Sequence, residues 1–302
     1  MASVTHAYTQ RYLAPGARIA VIAPSSPFAA EDFAHGLERL RTRYVVQHDP
    51  DIFEQNGYLA GDDERRLREL EAALDDPQVA AIMAARGGYG ATRILPHLDV
   101  ARVRRHAPML IGFSDVTALH ALWAHARVGS VHGSMVAALG RCSDAQFERF
   151  ASAIEGHFPE SISGLTTIHG GVAEGVLLGG NLAVLHALLG TAQFPPLAGA
   201  VLFLEDIGER PYRVDRMLTS LRNSGALAAV RGIALGAFVQ GEPGPDGTRL
   251  EHVLAERLGD LGIPVVAGLP CGHIDDNHEL PFGHSVRLDA TRGQLHLSGR
   301  QS

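Results

Sequence analysis

Cysteine is scarce in this chain: Cys142 and Cys271 are the two among 302 residues. They stand far apart, without the paired spacing of a structural zinc site or a disulfide framework, so a reducing compartment fits best. Long apolar runs are missing too. No segment stays apolar for the ~18 residues a membrane span requires. The opening MASVTHAYTQRYLAPG lacks the charged region and apolar run of a signal peptide, so the expected location is cytoplasmic. Clustered basic residues are absent as well. With a formal net charge of -7 and arginines mixed among acidic residues, the chain carries no nucleic-acid footprint.

What is present describes a globular protein. Hydrophobic residues make up 46% and charged residues 20%, with a mean hydropathy of +0.04, and the length suits two ordinary domains or one large α/β domain. The first half alternates apolar β-type runs with amphipathic helical patterns, as parallel strands joined by crossover helices do. Strands are expected at Arg18 to Ala23, Val79 to Ala85 and Pro108 to Gly112. Phe33, Leu37 and Leu40 repeat at helical spacing, as do Leu67, Leu70 and Leu74, and both sets read as surface helices packed on a sheet. A short helix is expected around Gln146 to Ile154. The signals then weaken through a Gly-, Ser- and Thr-rich stretch, which places a linker at 151–174 between domains at 1–150 and 175–302. Later strands are expected at Gly175 to Leu178, Val201 to Glu205, Gly232 to Val239 and Pro264 to Ala267. The segments HSVRLDA and GQLHLSG form a terminal hairpin through Thr291, Arg292 and Gly293.

Four segments carry candidate chemistry. In APMLIGFSDVTALHALWAHA a strand runs straight into Gly112-Phe113-Ser114-Asp115 and then into a helix striped by Val116, Leu119 and Trp123. A serine at such a turn is accessible at the sheet edge, beside a helix N-terminus that stabilises negative charge. Asp115 and Val116 depart from the full Gly-x-Ser-x-Gly elbow, and Ser114 or Asp115 also reads as a simple N-cap. The glycine-rich ARGGYGATR offers backbone N–H groups for an anion. Those of Gly88 and Asp115 together suit a tetrahedral oxyanion, whereas the Lys-Ser/Thr of a phosphate loop is absent, and a plain tight turn is the alternative. In AVLFLEDIGERPYRVDRMLTSL a strand ends in Glu205-Asp206, placed to orient a histidine, while Glu209 reads as a helix-start or surface charge. Finally, VVAGLPCGHIDDNHELPFGHSV offers His273 as a general base on a loop. A metal set of His273, Asp275, Asp276 and His278 matches no zinc spacing. Cys271 beside His273 is a competing nucleophile.

Taken in this order, the segments resemble the LD-carboxypeptidases, serine peptidases grouped with muramoyltetrapeptide carboxypeptidase and the microcin C immunity peptidase. The resemblance covers most of the chain: VIAPSSP, GYLAGDDERRLREL, RGGYG, LIGFSD, GGNLAVLHALLGT, FLEDIGERPYRVDRML and GLPCGH. It implies an α/β fold, with a doubly wound N-terminal domain of mainly parallel sheet and a smaller β-rich C-terminal domain. It implies Ser114 as nucleophile, His273 as base, Glu205 as the residue orienting it, and the N–H groups of Gly88 and Asp115 as oxyanion hole. No cofactor or metal is implied. The expected partner is a small peptide, a murein tetrapeptide losing its terminal D-alanine, with no nucleic acid or membrane, and a homodimer is the expected assembly. Alternatives are hydrolysis of a peptidyl-nucleotide antibiotic, a metal-dependent hydrolase using the cluster from His273 to His284, and a catalytically silent binding protein. One departure is Ser134 in His132-Gly133-Ser134-Met135, where the family often carries proline.

Overall fold

The computed structural model describes residues 7–297, so the first six residues of the opening stretch and the last two of GQLHLSG, Ser298 and Gly299, lie outside the described residues. The chain divides into two units, Met1–Glu155 and Gly156–Ser302.

In the first unit, strands and helices alternate. They are β1 (Arg18–Ile22), α1 (Ala30–Arg41), β2 (Val45–His48), α2 (Asp63–Asp75), β3 (Val79–Ala84), α3 (Ala91–Ile94), α4 (Val100–His106), β4 (Met109–Gly112), α5 (Thr117–Ala126), β5 (Ser130–His132), α6 (Val136–Leu139) and α7 (Asp144–Ile154). Within this unit the strands lie parallel in the order β2-β1-β3-β4-β5, with Ile19 opposite Ala81, Ile82 opposite Leu110 and Ile111 opposite Val131. This is a doubly wound arrangement whose connections reverse direction between β1 and β3, so the loops after those two strands diverge and leave a crevice at their carboxyl ends.

The helices follow the expected signals. Helix α1 buries Phe33, Leu37 and Leu40, opens with Glu31 and Asp32 and closes with Arg39 and Arg41, as the helix dipole favours. Helix α7 starts in a reciprocal capping box of Ser143 and Gln146. Helix α2 is capped by Asp62, whose Oδ1 accepts the Arg65 N–H at 2.7 Å. Its inner face differs from the leucine stripe expected. Leu70 and Leu74 are buried as read, but Leu67 is half-buried and Arg65, Arg66 and Glu69 go inside. Charges at these positions read as a solvent face in sequence. Here they bond to the backbone of Ala23 and Pro24, just after β1, and of Ala60.

The second unit contains β6 (Ser161–Ser163), β7 (Thr166–His169), β8 (Val172–Asn181), α8 (Leu182–Leu188), β9 (Ala200–Ile207), α9 (Pro211–Asn223), β10 (Gly232–Val239), α10 (Leu250–Leu258), β11 (Val265–Ala267), β12 (Leu280–Phe282), β13 (Ser285–Asp289) and β14 (Gln294–Leu297). Its sheet runs β6-β14-β13-β8-β9-β10-β11-β7. The central β8, β9, β10 and β11 are parallel, joined through α8, α9 and α10, while β13, β14, β6 and β7 are antiparallel additions. The terminal hairpin is β13 and β14. The stretch expected to be a linker at 151–174 is instead the end of α7, the strands β6 and β7, and the start of β8. Short strands at a sheet edge need few apolar residues, so Ser161–Ser163 and Thr166–His169 read as loop. Leu177, Val201, Phe203, Val266, Phe282 and Leu288 form the core.

Candidate functional site

The nucleophile candidate sits where β4 ends. Ser114 opens a single 3-10 turn, Ser114–Val116, that leads into α5. Its backbone is left-handed, with φ +63°. A residue carrying a Cβ pays roughly 1–2 kcal/mol for that region, so this position is strained and the surrounding bonds hold it. Beneath the turn, His120 Nε2–H donates to the Gly112 carbonyl at 2.9 Å, which leaves Nδ1 to accept the Ser130 hydroxyl at 2.8 Å. Burial lowers the His120 pKa to about 4, so the ring stays neutral in this role. The Gly133 N–H donates to the same carbonyl at 3.2 Å, which lays the His132-Gly133-Ser134-Met135 segment alongside.

The glycine-rich turn after β3 lies against Ser114. A Cβ on Gly87 would stand 3.0 Å from the Ser114 Cβ and 3.1 Å from its Oγ, so a side chain there would press on the hydroxyl. Gly88 has φ +112°, a conformation open to glycine. Thus Ser114, Asp115 and the turn carrying Gly88 lie together in one unit. Sequence reading missed Gly87 as a residue lying against Ser114, because glycine signals backbone freedom and not which neighbour needs the space.

The Asp115 side chain is buried, and its Oδ2 accepts the Ser25 hydroxyl at 2.6 Å and the Ala91 N–H at 2.8 Å. Burial pushes its pKa up, while Ser25, the Ala91 amide and the Arg66 charge pull it down. Ser25 belongs to the loop after β1, at the same crevice. Its neighbours are gripped by α2: Arg66 Nη1 donates to the Pro24 carbonyl at 2.6 Å, Arg65 Nη1 to the Ala23 carbonyl at 3.3 Å, and Glu69 Oε2 accepts the Ala23 N–H at 2.8 Å. Arg65 and Glu69 also pair at 2.8 Å. The sequence named VIAPSSP and GYLAGDDERRLREL as recognisable stretches. The bonds that join these two stretches to each other and to Asp115 span 42 to 90 residues along the chain.

In the second unit, Glu205 is wholly buried in β9 and accepts the His273 Nδ1–H at 2.7 Å. That bond fixes the ring orientation and leaves Nε2 as the nitrogen that takes a proton. The second Glu205 oxygen accepts Asn181 Nδ2–H at 3.3 Å; Asn181 stands opposite Glu205 in the β8–β9 register and also caps α8. Gly272, at φ +122°, lets the backbone pass the carboxylate, since a Cβ there would fall 2.8 Å from Glu205 Oε2. Asn181 and Gly272 were not identified from sequence. Neighbouring Asp206 accepts Asn181 Nδ2–H at 3.0 Å and the Ala183 N–H at 2.9 Å, and burial raises its pKa to about 6. Glu209 pairs with Arg213 across one helical turn, the surface role expected.

The competing groups are placed differently. Cys271 is fully buried in the apolar core of this unit, the setting of an unreactive thiol. His278 faces Asp276 at 3.4 Å, and His284 packs against Phe158. Among the described residues no three His, Cys, Asp or Glu side chains converge as a metal-holding group, and no helix is long and apolar enough to cross a membrane.

Comparison with known proteins adds the wider setting. Residues 19–133 match the LD-carboxypeptidase N-terminal domain and residues 174–288 the LD-carboxypeptidase C-terminal domain. A provisionally named carboxypeptidase of Streptomyces coelicolor is 44% identical over 297 residues, covering 94% of each chain. The murein tetrapeptide carboxypeptidase of Pseudomonas aeruginosa is 32% identical, covering 91% of this chain and 94% of its own. The crystal structure of muramoyltetrapeptide carboxypeptidase from Oxalobacter formigenes superposes with a TM-score of 0.81 at 32% identity, over 94% of this chain and 100% of that one.

Proposed function

The chain belongs to the LD-carboxypeptidase family, and on that premise we propose that it hydrolyses the amide bond before a C-terminal D-amino acid, releasing D-alanine from murein tetrapeptides. The observation that carries the reading is Ser114: a serine in left-handed backbone between a buried strand and a helix, with Gly87 leaving space at its hydroxyl. Strain of this kind persists where a nucleophile must be presented.

In the proposed reaction His273 Nε2 takes the Ser114 proton while Glu205 stabilises the imidazolium that forms. Ser114 Oγ attacks the carbonyl carbon, and the N–H groups of Gly88 and Asp115 receive the oxyanion. His273 then gives its proton to the departing amine, releasing the D-amino acid and leaving an acyl ester on Ser114. Water, deprotonated by the same histidine, cleaves that ester and restores the hydroxyl. Asn181 acts by holding the second Glu205 oxygen.

The test is release of free D-alanine from a murein tetrapeptide by the intact enzyme, Ser114→Ala and His273→Ala. The intact enzyme is expected to release it, and each variant to lose at least about 10³-fold in kcat while remaining folded. If the tetrapeptide is untouched and a peptidyl-nucleotide is cut with the same dependence on Ser114, the antibiotic-directed reading replaces this one. The proposal includes a cytoplasmic location, in keeping with Cys142 and Cys271 standing outside any disulfide, and a homodimer, which light scattering of the purified chain decides.

A further inference from the structure

The loop after β1 lines the crevice at the sheet's point of reversal, yet the proposed reaction gives it no role. Its two serines bond to both halves of the proposed oxyanion site. Ser25, without exposed surface, donates its hydroxyl to Asp115 Oδ2 at 2.6 Å, which ties the loop to the residue following the nucleophile. Ser26 reaches the other way. Its N–H donates to the Gly87 carbonyl at 3.2 Å, its Oγ accepts the Tyr89 N–H at 3.2 Å, and a Cβ on Gly88 would fall 2.3 Å from that Oγ. Gly88 is therefore held on both flanks and covered by one serine, while Asp115 is held by the other.

The dipeptide is itself anchored. Glu69 accepts the Ala23 N–H, while Arg65 and Arg66 donate to the Ala23 and Pro24 carbonyls. Arg66 has no exposed side-chain surface and also pairs with Asp63. Moving the loop would break several buried bonds to charged groups at once.

We propose that Ser25 and Ser26 are positioning residues, a two-armed spacer that fixes the separation between the N–H of Gly88 and the N–H of Asp115. The inference rests on the reading of those two groups as the oxyanion hole. Donors supplied by two different loops serve one oxygen only if the loops keep their distance, since both must lie about 2.7–3.1 Å from the oxyanion. A displacement of about 1 Å is worth on the order of 10² in rate.

The experiment measures the second-order rate at which a fluorophosphonate modifies Ser114 in wild type, Ser25→Ala and Ser26→Ala, normalised to folded protein. Ser114 Oγ displaces fluoride from phosphorus in that reaction, and the phosphoryl oxygen takes the oxyanion's place, so the rate is independent of which peptide is the substrate. Ser25→Ala is expected to react about 10- to 100-fold more slowly and Ser26→Ala about 3- to 10-fold more slowly. In peptide hydrolysis the loss is expected in kcat, with KM within about 2-fold, because the oxyanion exists only beyond the ground state. Ser26 is half-buried, so its variant reports even if Ser25→Ala does not fold. Folded serine variants that react at the wild-type rate overturn the spacer. Slowed variants of an enzyme that leaves murein tetrapeptide intact uphold the spacer and end the substrate reading. A wild-type chain unlabelled at Ser114 ends both.

Discussion

At the scale of single residues, the first unit tolerates an unfavourable backbone at the position where the chemistry is proposed. Ser114 has a Cβ in left-handed space, and that placement opposes stability. Glycine enters the same region without steric cost, although it loses more chain entropy on folding. The two effects leave a net gain for glycine of about 0.5–1 kcal/mol. Ser114→Gly is therefore expected to melt about 1–3 °C above wild type while showing no hydrolase activity. Thermal unfolding followed by circular dichroism checks this, and a melting point below wild type would mean that the serine side chain makes stabilising contacts larger than its strain.

At the scale of elements, α2 shows how a charged helix face turns inward. Glu69 is 6% exposed. Burial raises its pKa from 4.5 to about 7, against the opposing pull of Arg65 and the Ala23 amide. With the folded pKa above the unfolded one, the folded state binds the proton more tightly. The associated stability is fully present below about pH 4.5 and is lost as pH rises through about 7. The loss is at most about 3 kcal/mol. In Glu69→Gln this titration is absent. The wild-type melting point is therefore expected to fall by several degrees relative to the variant between pH 5 and pH 8, and parallel melting curves across that range would contradict the burial-dominated pKa. The same helix marks a limit of sequence reading. Leu70 and Leu74 were legible from their spacing, whereas Arg65, Arg66 and Glu69 were not, because their partners Ala23, Pro24 and Ala60 belong to loops whose path no local pattern records. Strands with continuous apolar runs, such as Val79–Ala84, were legible in the same way. The half-exposed Val45–His48 and three-residue Ser130–His132 were not, since their pairing is set by a neighbour and not by their own composition.

At the scale of the whole molecule, the sequence named Ser114, Asp115, Gly88, Glu205 and His273 through dispersed motifs, and the fold puts the first three in the first unit and the last two in the second. What it could not supply were the supports: Gly87 beside the hydroxyl, Ser25 on Asp115, Asn181 on Glu205 and Gly272 under the carboxylate. Such contacts depend on which loops meet, and in the first unit that follows from strand order. The whole chain also discriminates between the three kinds of hydrolase its residues first allowed. A thiol mechanism needs an accessible thiolate, but Cys271 lies within an apolar core and the half-buried Cys142 bonds the Leu139 carbonyl beside a helix end. A metal mechanism needs converging ligands, and the His273 ring is instead committed to Glu205 through Nδ1. Activity is therefore expected to survive EDTA and iodoacetamide with less than about 2-fold change, and to fall in proportion to Ser114 modification by a fluorophosphonate. Loss to EDTA that added zinc restores would assign the His273 segment to a metal and remove it from the serine reaction. Loss to iodoacetamide would mean either that alkylation of the half-buried Cys142 disturbs the first unit or that the second unit opens far enough to expose Cys271.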